Sequence, residues 1–369
     1  MSDRVLEEIA ALQDEDWALR EEAAALLGDF ADPRAIPPLI RVLHDEDRAV
    51  REAAATALRK IGRAALPALV QSLKDPNGNV QEAAISILKD FPDASTVEPL
   101  IECLASKNWI LRMHAVKALG RSADERVVHA LIPLLMDPVK AVRVDTTEAL
   151  ARLGAAALTS LLDALGGDEW ILRLHACEAL GKMRADEAVA PLCELMLDDR
   201  DAAVRQDAAK ALGSIGSPRA LEPLSAALHD LEVRPFAVEA LGKIKDTRAV
   251  PTLIDIVTGK GRPANARRAA NCGDENGEQF FEEMEVQEHA IGALADIGDE
   301  RAIDPVIGAL QDTRLRSAAA LALGRFGLRV ADPLLAKMKT ETDSNILYHA
   351  RAVLTSVGWR PRPNMKAGI

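Results

Sequence analysis

One short segment recurs along this chain at nearly constant spacing. Its copies include Arg51-Glu-Ala-Ala-Ala-Thr-Ala-Leu58, Arg143-Val-Asp-Thr-Thr-Glu-Ala-Leu150 and Arg205-Gln-Asp-Ala-Ala-Lys-Ala-Leu212. The leading position is occupied in turn by Arg20, Arg51, Gln81, Arg112, Arg143, Arg173, Arg205, Arg234, Gln287, Arg316 and Leu347. Successive copies are 29 to 32 residues apart, except for one step of 53 residues. A repeat of this length predicts a solenoid, in which each copy is one unit stacked on its neighbours.

Each copy predicts two helices joined by a polar turn. The first helix is represented by Asp32-Pro-Arg-Ala-Ile-Pro-Pro-Leu-Ile-Arg-Val-Leu43, where an early proline is tolerated because the first N–H groups of a helix lack helical partners. The turn His44-Asp-Glu-Asp47 supplies side chains that cap the next helix. With the leading residue of the second helix as position zero, positions −1, +3, +6, +7 and +10 are apolar. These positions share one helical face, which is predicted to form the core.

The repeated pattern D-x-x-(A/I)-V-R-x-x-A-x-x-A-L-G resembles the short HEAT-like repeat named after the phycobilisome lyases, and the resemblance covers nearly the whole chain. It implies an all-α, right-handed α-solenoid of about eleven two-helix HEAT-like repeats, an armadillo-type fold. Phycobilisome lyase-type proteins attach, isomerise or detach bilin chromophores. The resemblance therefore also implies a cofactor-handling protein or chaperone, with a tetrapyrrole as its ligand.

The single long step predicts an insertion within repeat nine. The expected organisation is repeats one to eight with the first helix of repeat nine in 1–258, an inserted loop in 259–285, the remaining repeats in 286–357 and a C-terminal tail in 358–369. The first half of the loop is basic and the second half is acidic around two phenylalanines. Loops of this length are often functional, although a tolerated surface excursion is the alternative. The candidate binding residues in this loop are Arg267, Arg268, Phe280 and Phe281.

Position +2 of the second helix carries four of the seven histidines. In repeats four to seven it alternates between histidine and aspartate, as His114, Asp145, His175 and Asp207, and repeat nine has His289. Neighbouring helices lie about 8–10 Å apart, so side chains of adjacent repeats can meet. Three interpretations remain open, namely a ladder of His–Asp hydrogen bonds, polar contacts to a partner, or a metal site.

The histidine row is similar to that of deoxyhypusine hydroxylase, a HEAT-like di-iron enzyme with adjacent His-Glu pairs. This chain has Met113-His114, Leu174-His175 and Glu288-His289 instead, and it contains no His-Glu pair. The resemblance implies iron as an alternative cofactor, with the histidines and aspartates of position +2 as its candidate ligands.

Two near copies suggest an exposed apolar patch. They are Trp109-Ile-Leu-Arg-Met-His114 and Trp170-Ile-Leu-Arg-Leu-His175, two repeats apart. Position +1, which points away from the core, is glutamate in the first three repeats and apolar in repeats four to six. A helix start that is apolar all round must bury its outer face, either on a partner or on the preceding turn. The predicted patch consists of Trp109, Ile110, Met113, Val144, Trp170, Ile171 and Leu174.

Position +9 is basic in three consecutive copies, as Arg121, Arg152 and Lys182. Basic residues at helix C-termini interact favourably with the helix dipole, which explains such a row without a ligand. If these side chains share one groove, they would suit a ligand or a partner segment that carries carboxylates.

Composition excludes several function classes. The net charge of −12 argues against nucleic acid as a partner, and no run of 18 apolar residues predicts membrane insertion. Aromatic residues make up 3% of the chain, too few for a typical β-sandwich or barrel. No phosphate-binding loop, zinc-protease motif or nucleophile elbow is present.

We therefore expect a non-catalytic cytoplasmic scaffold without a cofactor, which binds a protein partner along a concave groove centred on repeats four to six. A chromophore-handling protein and a metal-dependent, hydroxylase-like enzyme are the alternatives.

Overall fold

The computed structural model describes residues 2–260, except 92 and 123, and residues 277–360, and all regular elements in these residues are helical. The chain begins with α1 (Ser2–Ala11), α2 (Trp17–Phe30), α3 (Ile36–Val42), α4 (Arg48–Ile61), α5 (Leu66–Ser72), α6 (Gly78–Leu88), α7 (Ala94–Cys103), α8 (Trp109–Leu119), α9 (Arg126–Leu131), α10 (Lys140–Leu153) and α11 (Ala155–Leu165). It continues with α12 (Trp170–Met183), α13 (Val189–Asp198), α14 (Ala202–Ile215), α15 (Leu221–Ala227), α16 (Arg234–Ile244), α17 (Val250–Val257), α18 (Gly277–Ile297), α19 (Ile303–Ala309), α20 (Arg316–Arg325), α21 (Ala331–Thr340) and α22 (Ser344–Ser356).

The helices alternate as the repeat pattern predicts. Odd-numbered helices are the first helices of the repeats, and even-numbered helices are the second. The all-α class and the two-helix repeat are therefore confirmed. None of the helices in the described part of the chain combines the length and the apolar character that crossing a lipid bilayer requires.

The chain forms two compact units, Met1–Ala164 and Leu165–Ile369. The boundary falls at the end of α11, the first helix of repeat six. The second helices of repeats four and five therefore belong to the first unit, and the second helix of repeat six belongs to the second unit.

Local sequence signals determine where the second helices begin. Asp47 caps α4 by accepting a hydrogen bond from the N–H of Ala49 at 2.8 Å, and Asp201 caps α14 in the same way. Such a side chain satisfies one of the N–H groups that lack partners in the first helical turn. The core positions are also as predicted, since α4 buries Val50, Ala54, Ala57 and Leu58 at positions −1, +3, +6 and +7.

Glycine at position +8 allows the second helices of successive repeats to approach closely. In α12, a Cβ added to Gly181 would lie 2.8 Å from the Cα atom and 3.0 Å from the Cβ atom of Ala211 in α14. The same contact recurs between Gly28 and Ala57, Gly120 and Ala149, Gly213 and Ala240, and Gly242 and Ala293. The A-x-x-A-L-G part of the repeat pattern is therefore a requirement of helix packing and carries no information about function.

We expect Gly181→Ala to reduce the free energy of unfolding by about 1–3 kcal/mol, because the added methyl group overlaps the backbone of α14. Gly292→Ala is the matched control, since a Cβ at Gly292 in α18 meets nothing within 4 Å. The free energy of unfolding of the control should rise by up to about 1 kcal/mol, because alanine loses less backbone entropy than glycine when the chain folds. Urea unfolding of the two variants measures both effects, and equal effects would contradict this account of the glycine.

In several copies the leading arginine connects successive turns, as Arg112 and Arg173 show. Arg112 donates from Nε and Nη2 to the Asp137 carboxylate at 2.7 and 2.9 Å, and its Nη1 donates to the Ser106 carbonyl at 2.8 Å. Arg173 repeats this geometry with Asp199 at 2.6 and 2.8 Å. Each arginine thus fixes the turn before its own helix and the corresponding turn of the next repeat.

The Arg173–Asp199 pair is deeply buried, with 5% and 4% of the two side chains exposed. Burial raises the pKa of the Asp199 carboxyl, but hydrogen bonds from Arg173 and from the Asp201 N–H outweigh it and hold the pKa below its usual value. The aspartate is therefore ionised in the folded chain at neutral pH, and its charge is compensated by the arginine.

The prediction of a loop over 259–285 is wrong for its C-terminal part. Helix α18 begins at Gly277, so residues 277–285 extend the second helix of repeat nine. This stretch contains no proline and no glycine after Gly277, and glutamate and glutamine favour helix. Phe280 and Phe281 fall within this extension, whereas Arg267 and Arg268 lie outside the described residues.

Candidate binding surface

In the first unit, the predicted patch begins at the N-terminus of α8. Asn108 caps this helix by accepting from the Ile110 N–H at 2.9 Å, and its Nδ2 donates to Glu82 Oε1 at 2.9 Å. Trp109, the first residue of α8, is 41% exposed. The cap therefore fixes the start of α8, where Trp109 lies, against the preceding repeat.

The other apolar residues of this unit differ in exposure. Val144 on α10 is 40% exposed, whereas Ile110 and Met113 on α8 are half-buried. The sequence prediction placed all of them on one outer patch. In the structure, Trp109 and Val144 offer most of the accessible apolar surface.

The second unit contains the equivalent helix start. Trp170 is the first residue of α12 and is 43% exposed, while Ile171 and Leu174 on the same helix are half-buried. The two tryptophans therefore occupy equivalent places in repeats four and six, one on each unit. Each indole therefore packs in part against the protein and exposes the rest of its surface to solvent.

The +2 row does not pair as a simple ladder in the first unit. The Asp145 carboxylate instead forms an ion pair at 3.1 Å with Nζ of Lys117, which lies in the preceding repeat. His114 is half-buried, and its Nδ1 atom is buried without a hydrogen-bond partner among the described residues. Burial lowers the pKa of His114, and the charges of Lys89 and Lys117 lower it further. The histidine is therefore neutral near pH 7.

In the second unit, the buried His175 Nδ1 lies 3.2 Å from Glu178 Oε2 on its own helix. Glu178 also pairs with Lys182 at 3.1 Å, and Asp207 pairs with Lys210 at 2.6 Å. These contacts connect residues one helical turn apart, so they support α12 and α14 from within.

We expect Glu178 to contribute to stability at neutral pH and to lose that contribution in acid. Hydrogen bonds from His175, the larger effect, and from Lys182 lower the pKa of Glu178 from 4.5 to about 2, against the opposing effect of burial. Because the pKa is lower in the folded chain, the contribution is complete above the unfolded value near 4.5 and disappears as the pH falls towards about 2. Urea unfolding of wild type and Glu178→Gln at a series of pH values measures it. A difference that stays constant down to the lowest pH would contradict this prediction.

The basic residues of position +9 are found at helix ends. Arg152 lies in the last turn of α10 and pairs with Glu148 at 3.4 Å, and Lys182 lies in the last turn of α12. Arg121 follows the end of α8 and is exposed. Arg152 and Lys182 are therefore explained by the helix dipole and by intrahelical ion pairs.

Metal ligation finds no support in the described residues. No three His, Cys, Asp or Glu side chains within residues 2–260 and 277–360 come together as a metal-binding group. The candidate ligands His114, Asp145, His175, Asp207 and His289 instead lie in the helical environments of position +2.

Trp17, the first residue of α2, is 49% exposed and was not predicted as part of a binding surface. Its segment Trp17-Ala-Leu-Arg20 has the same Trp-x-Leu-Arg order as the two copies in repeats four and six. This shared order could have identified Trp17 from the sequence as a third tryptophan at the start of a second helix.

Comparison with known proteins agrees with the repeat architecture. The HEAT repeats family matches residues 6–76, 66–151, 158–234 and 281–355, which is more than half of the chain. The chain belongs to the HEAT-repeat family. The PBS lyase HEAT-like repeat also matches at residues 233–258, in agreement with the resemblance noted in the sequence.

Two curated relatives are named for bilin chemistry. The phycocyanobilin lyase subunit alpha of Synechococcus elongatus is 29% identical over 209 residues, which cover 47% of this chain and 77% of that protein. The bilin biosynthesis protein PecE of Mastigocladus laminosus is 36% identical over 103 residues, which cover 26% of this chain and 38% of that protein.

Solved structures show the same fold. The karyopherin Kap121p is similar with a TM-score of 0.64 and 15% identity, and the match covers 97% of this chain. The structure of Kap121p bound to the extreme C-terminus of the protein phosphatase Cdc14p gives a TM-score of 0.66 at 15% identity. The chain spans about half the length of Kap121p, 46% in both matches, and at this identity the likeness shows the fold alone.

Proposed function

We propose that this HEAT-repeat chain is a non-catalytic scaffold that binds a protein partner through the second helices of repeats four to six. The observation that carries the proposal is the pair of partly exposed indoles, Trp109 and Trp170, each followed by apolar residues in the near copies Trp109-Ile-Leu-Arg-Met-His114 and Trp170-Ile-Leu-Arg-Leu-His175. Other repeats have Arg48, Gly78 or Ala202 at the position of the tryptophan, so helix packing does not require tryptophan there. Exposed tryptophans are typical of residues that dominate binding energy.

The fold supports this proposal. Solenoids stack their repeats into extended surfaces that suit protein partners. Kap121p, which shares the fold, is seen bound to the C-terminus of another protein. Val144 adds apolar surface in repeat five, between the repeats that carry the two indoles.

Affinity capture from a lysate of the cells that produce this protein tests the proposal. The tagged wild-type chain should retain a partner protein in a fixed ratio of partner to chain, and the double variant Trp109→Ala/Trp170→Ala should lose that partner. Trp17→Ala is the matched control, because Trp17 is 49% exposed at the equivalent position but lies in repeat one. Retention of the same protein by the double variant would contradict the proposal.

A second candidate function is bilin handling, as a subunit or chaperone of a lyase-like system. It is favoured by the relative named phycocyanobilin lyase subunit alpha, of which the match covers 77%. Helix α8 carries an exposed indole at its start and the basic residues Lys117 and Arg121 at its C-terminal end, and such groups would suit a conjugated ligand that carries carboxylates.

Titration with free phycocyanobilin tests this second candidate. A stoichiometric change in the visible absorption of the bilin, lost in Trp109→Ala and kept in Trp17→Ala, would support it. An unchanged spectrum with the purified chain and with the captured complex would contradict it.

A further inference from the structure

In repeats six to eight, the exposed large apolar residues lie at one kind of turn. Among the described residues 165–260, the exposed large apolar side chains are Trp170, Leu197 and Leu231, each 43% exposed. Trp170 opens α12, Leu197 lies in the last turn of α13, and Leu231 lies between α15 and α16. All three lie where the first helix of a repeat turns into the second, in three successive repeats. Single exposed apolar residues are ordinary, but this recurrence at one edge is not.

Ion pairs hold these three turns side by side. Arg173, one helical turn after Trp170, donates from Nε to Asp199 Oδ2 at 2.6 Å, and Asp199 follows Leu197 closely. Arg205 connects the next two turns in the same way, with Asp230 Oδ2 at 2.8 Å, directly before Leu231. The three apolar side chains therefore line a continuous edge of repeats six to eight, which we call the turn edge.

The turn edge is acidic. Asp168, Glu169 and Asp198 are exposed carboxylates beside the apolar side chains, and Glu232 is exposed next to Leu231. The cation in these turns is Arg200, which donates from Nη2 to the Asp168 carbonyl at 2.5 Å.

Arg173 and Arg205 do not cancel this charge. Asp199 and Asp230 neutralise Arg173 and Arg205 through the ion pairs between turns, and Glu232 also lies 2.8 Å from Arg205 Nη2. The exposed carboxylates Asp168, Glu169 and Asp198 therefore outnumber the exposed cation Arg200. The turn edge as a whole attracts positive charge.

We propose that the turn edge binds an extended segment of a partner protein that has an apolar residue at about every third position and Lys or Arg between them. The inference rests on the proposed protein-binding function and names the chemistry of the partner. Adjacent repeats are about 8–10 Å apart, and a chain in the polyproline II conformation advances about 3.1 Å per residue and presents every third side chain on the same side, so three residues span one repeat. Cationic side chains between the apolar ones meet the exposed carboxylates, which favours association and sets the register.

Two synthetic fluorescent peptides test the inference with the full chain. Both have leucine at every third position, and the positions between are lysine and serine in one peptide and glutamate and serine in the other. We expect the lysine peptide to bind at least about tenfold more tightly in fluorescence anisotropy, and its affinity to fall as NaCl rises from about 50 to 300 mM. Equal binding of the two peptides would overturn the inference.

Variants assign the binding to the turn edge. Leu197→Ser/Leu231→Ser should weaken the lysine peptide by about tenfold or more, and Glu169→Gln/Asp198→Asn should reduce its salt dependence. Leu321→Ser on α20 is the control, because Leu321 is 76% exposed in a different repeat. Circular dichroism should show unchanged helicity in all three variants. Unchanged peptide affinity in a folded Leu197→Ser/Leu231→Ser chain would overturn the inference.

The captured partner separates failure of this inference from failure of the proposed function. If Leu197→Ser/Leu231→Ser and wild type retain the partner equally, while Trp109→Ala/Trp170→Ala loses it, the turn edge is not the site and the protein-binding function stands. A wild-type chain that retains no partner contradicts the proposed function itself.

Discussion

Replacement of Arg173 by alanine should reduce the free energy of unfolding by about 3–5 kcal/mol, one of the largest single effects in this chain. The reason is the buried pair with Asp199, since removal of the guanidinium leaves an ionised carboxylate with 4% exposure and no compensating charge. The substitution also removes the hydrogen bonds that Arg173 Nη1 donates to the carbonyls of Gly167 and Asp168 at 2.9 and 2.8 Å. Urea unfolding of wild type and variant measures the loss.

Arg48→Ala is the matched control for this prediction. Arg48 pairs with Glu52 at 2.6 Å within α4, but 83% and 64% of the two side chains are exposed. Water screens an exposed pair of this kind, so its loss should change the free energy of unfolding little. The double variant Arg173→Met/Asp199→Leu should lose less than Arg173→Ala, because no unpaired buried charge remains. Equal losses in Arg173→Ala and Arg48→Ala would show that the buried pair does not stabilise the stacking of repeats.

Loss of both indoles should abolish tight partner binding while the fold is retained. Truncation of a dominant interface tryptophan typically costs about 2 kcal/mol or more, which is about 30-fold in Kd. Isothermal titration of the captured partner should therefore show losses of about this size for Trp109→Ala and for Trp170→Ala, and a larger loss for the double variant.

The matched control for the indoles is Trp17→Ala, which should leave the Kd unchanged and the helicity intact. An unfolded double variant would show instead that the two indoles belong to the core, and the binding surface would have to be abandoned. Trp109 and Trp170 are 41% and 43% exposed, so we expect the double variant to fold and to lose partner binding.

The repeat pattern predicted the fold well because burial imposes its period on the sequence. Val50, Ala54, Ala57 and Leu58 are buried where the helical spacing required apolar residues. The helical start of α18 at Gly277 was not predicted, because a break in the repeat spacing gives the length of an insertion but not its conformation.

Polar partners were harder to predict. The partner of Arg112 is Asp137, in the turn of the next repeat, and only the stacking geometry brings the two together. Asp145 pairs with Lys117, because a long flexible ammonium reaches a neighbouring helix and stays charged, whereas burial keeps His114 neutral. The register of position +2 shows which side chains share a row, but it does not show which of them pair.

The turn edge was also hidden from the repeat alignment. Leu197 and Leu231 occupy different positions relative to the leading arginine of the next helix, so no column of aligned copies contains both. Their common environment is visible only when the ion pairs between turns and the exposure of each side chain are known.

Native mass spectrometry of the chain purified from its source tests the central claim most directly. The account predicts a complex whose added mass is that of a polypeptide, present with wild type and Trp17→Ala and absent with Trp109→Ala/Trp170→Ala. A chain that carries no polypeptide, and instead holds a stoichiometric chromophore that absorbs visible light, would contradict it.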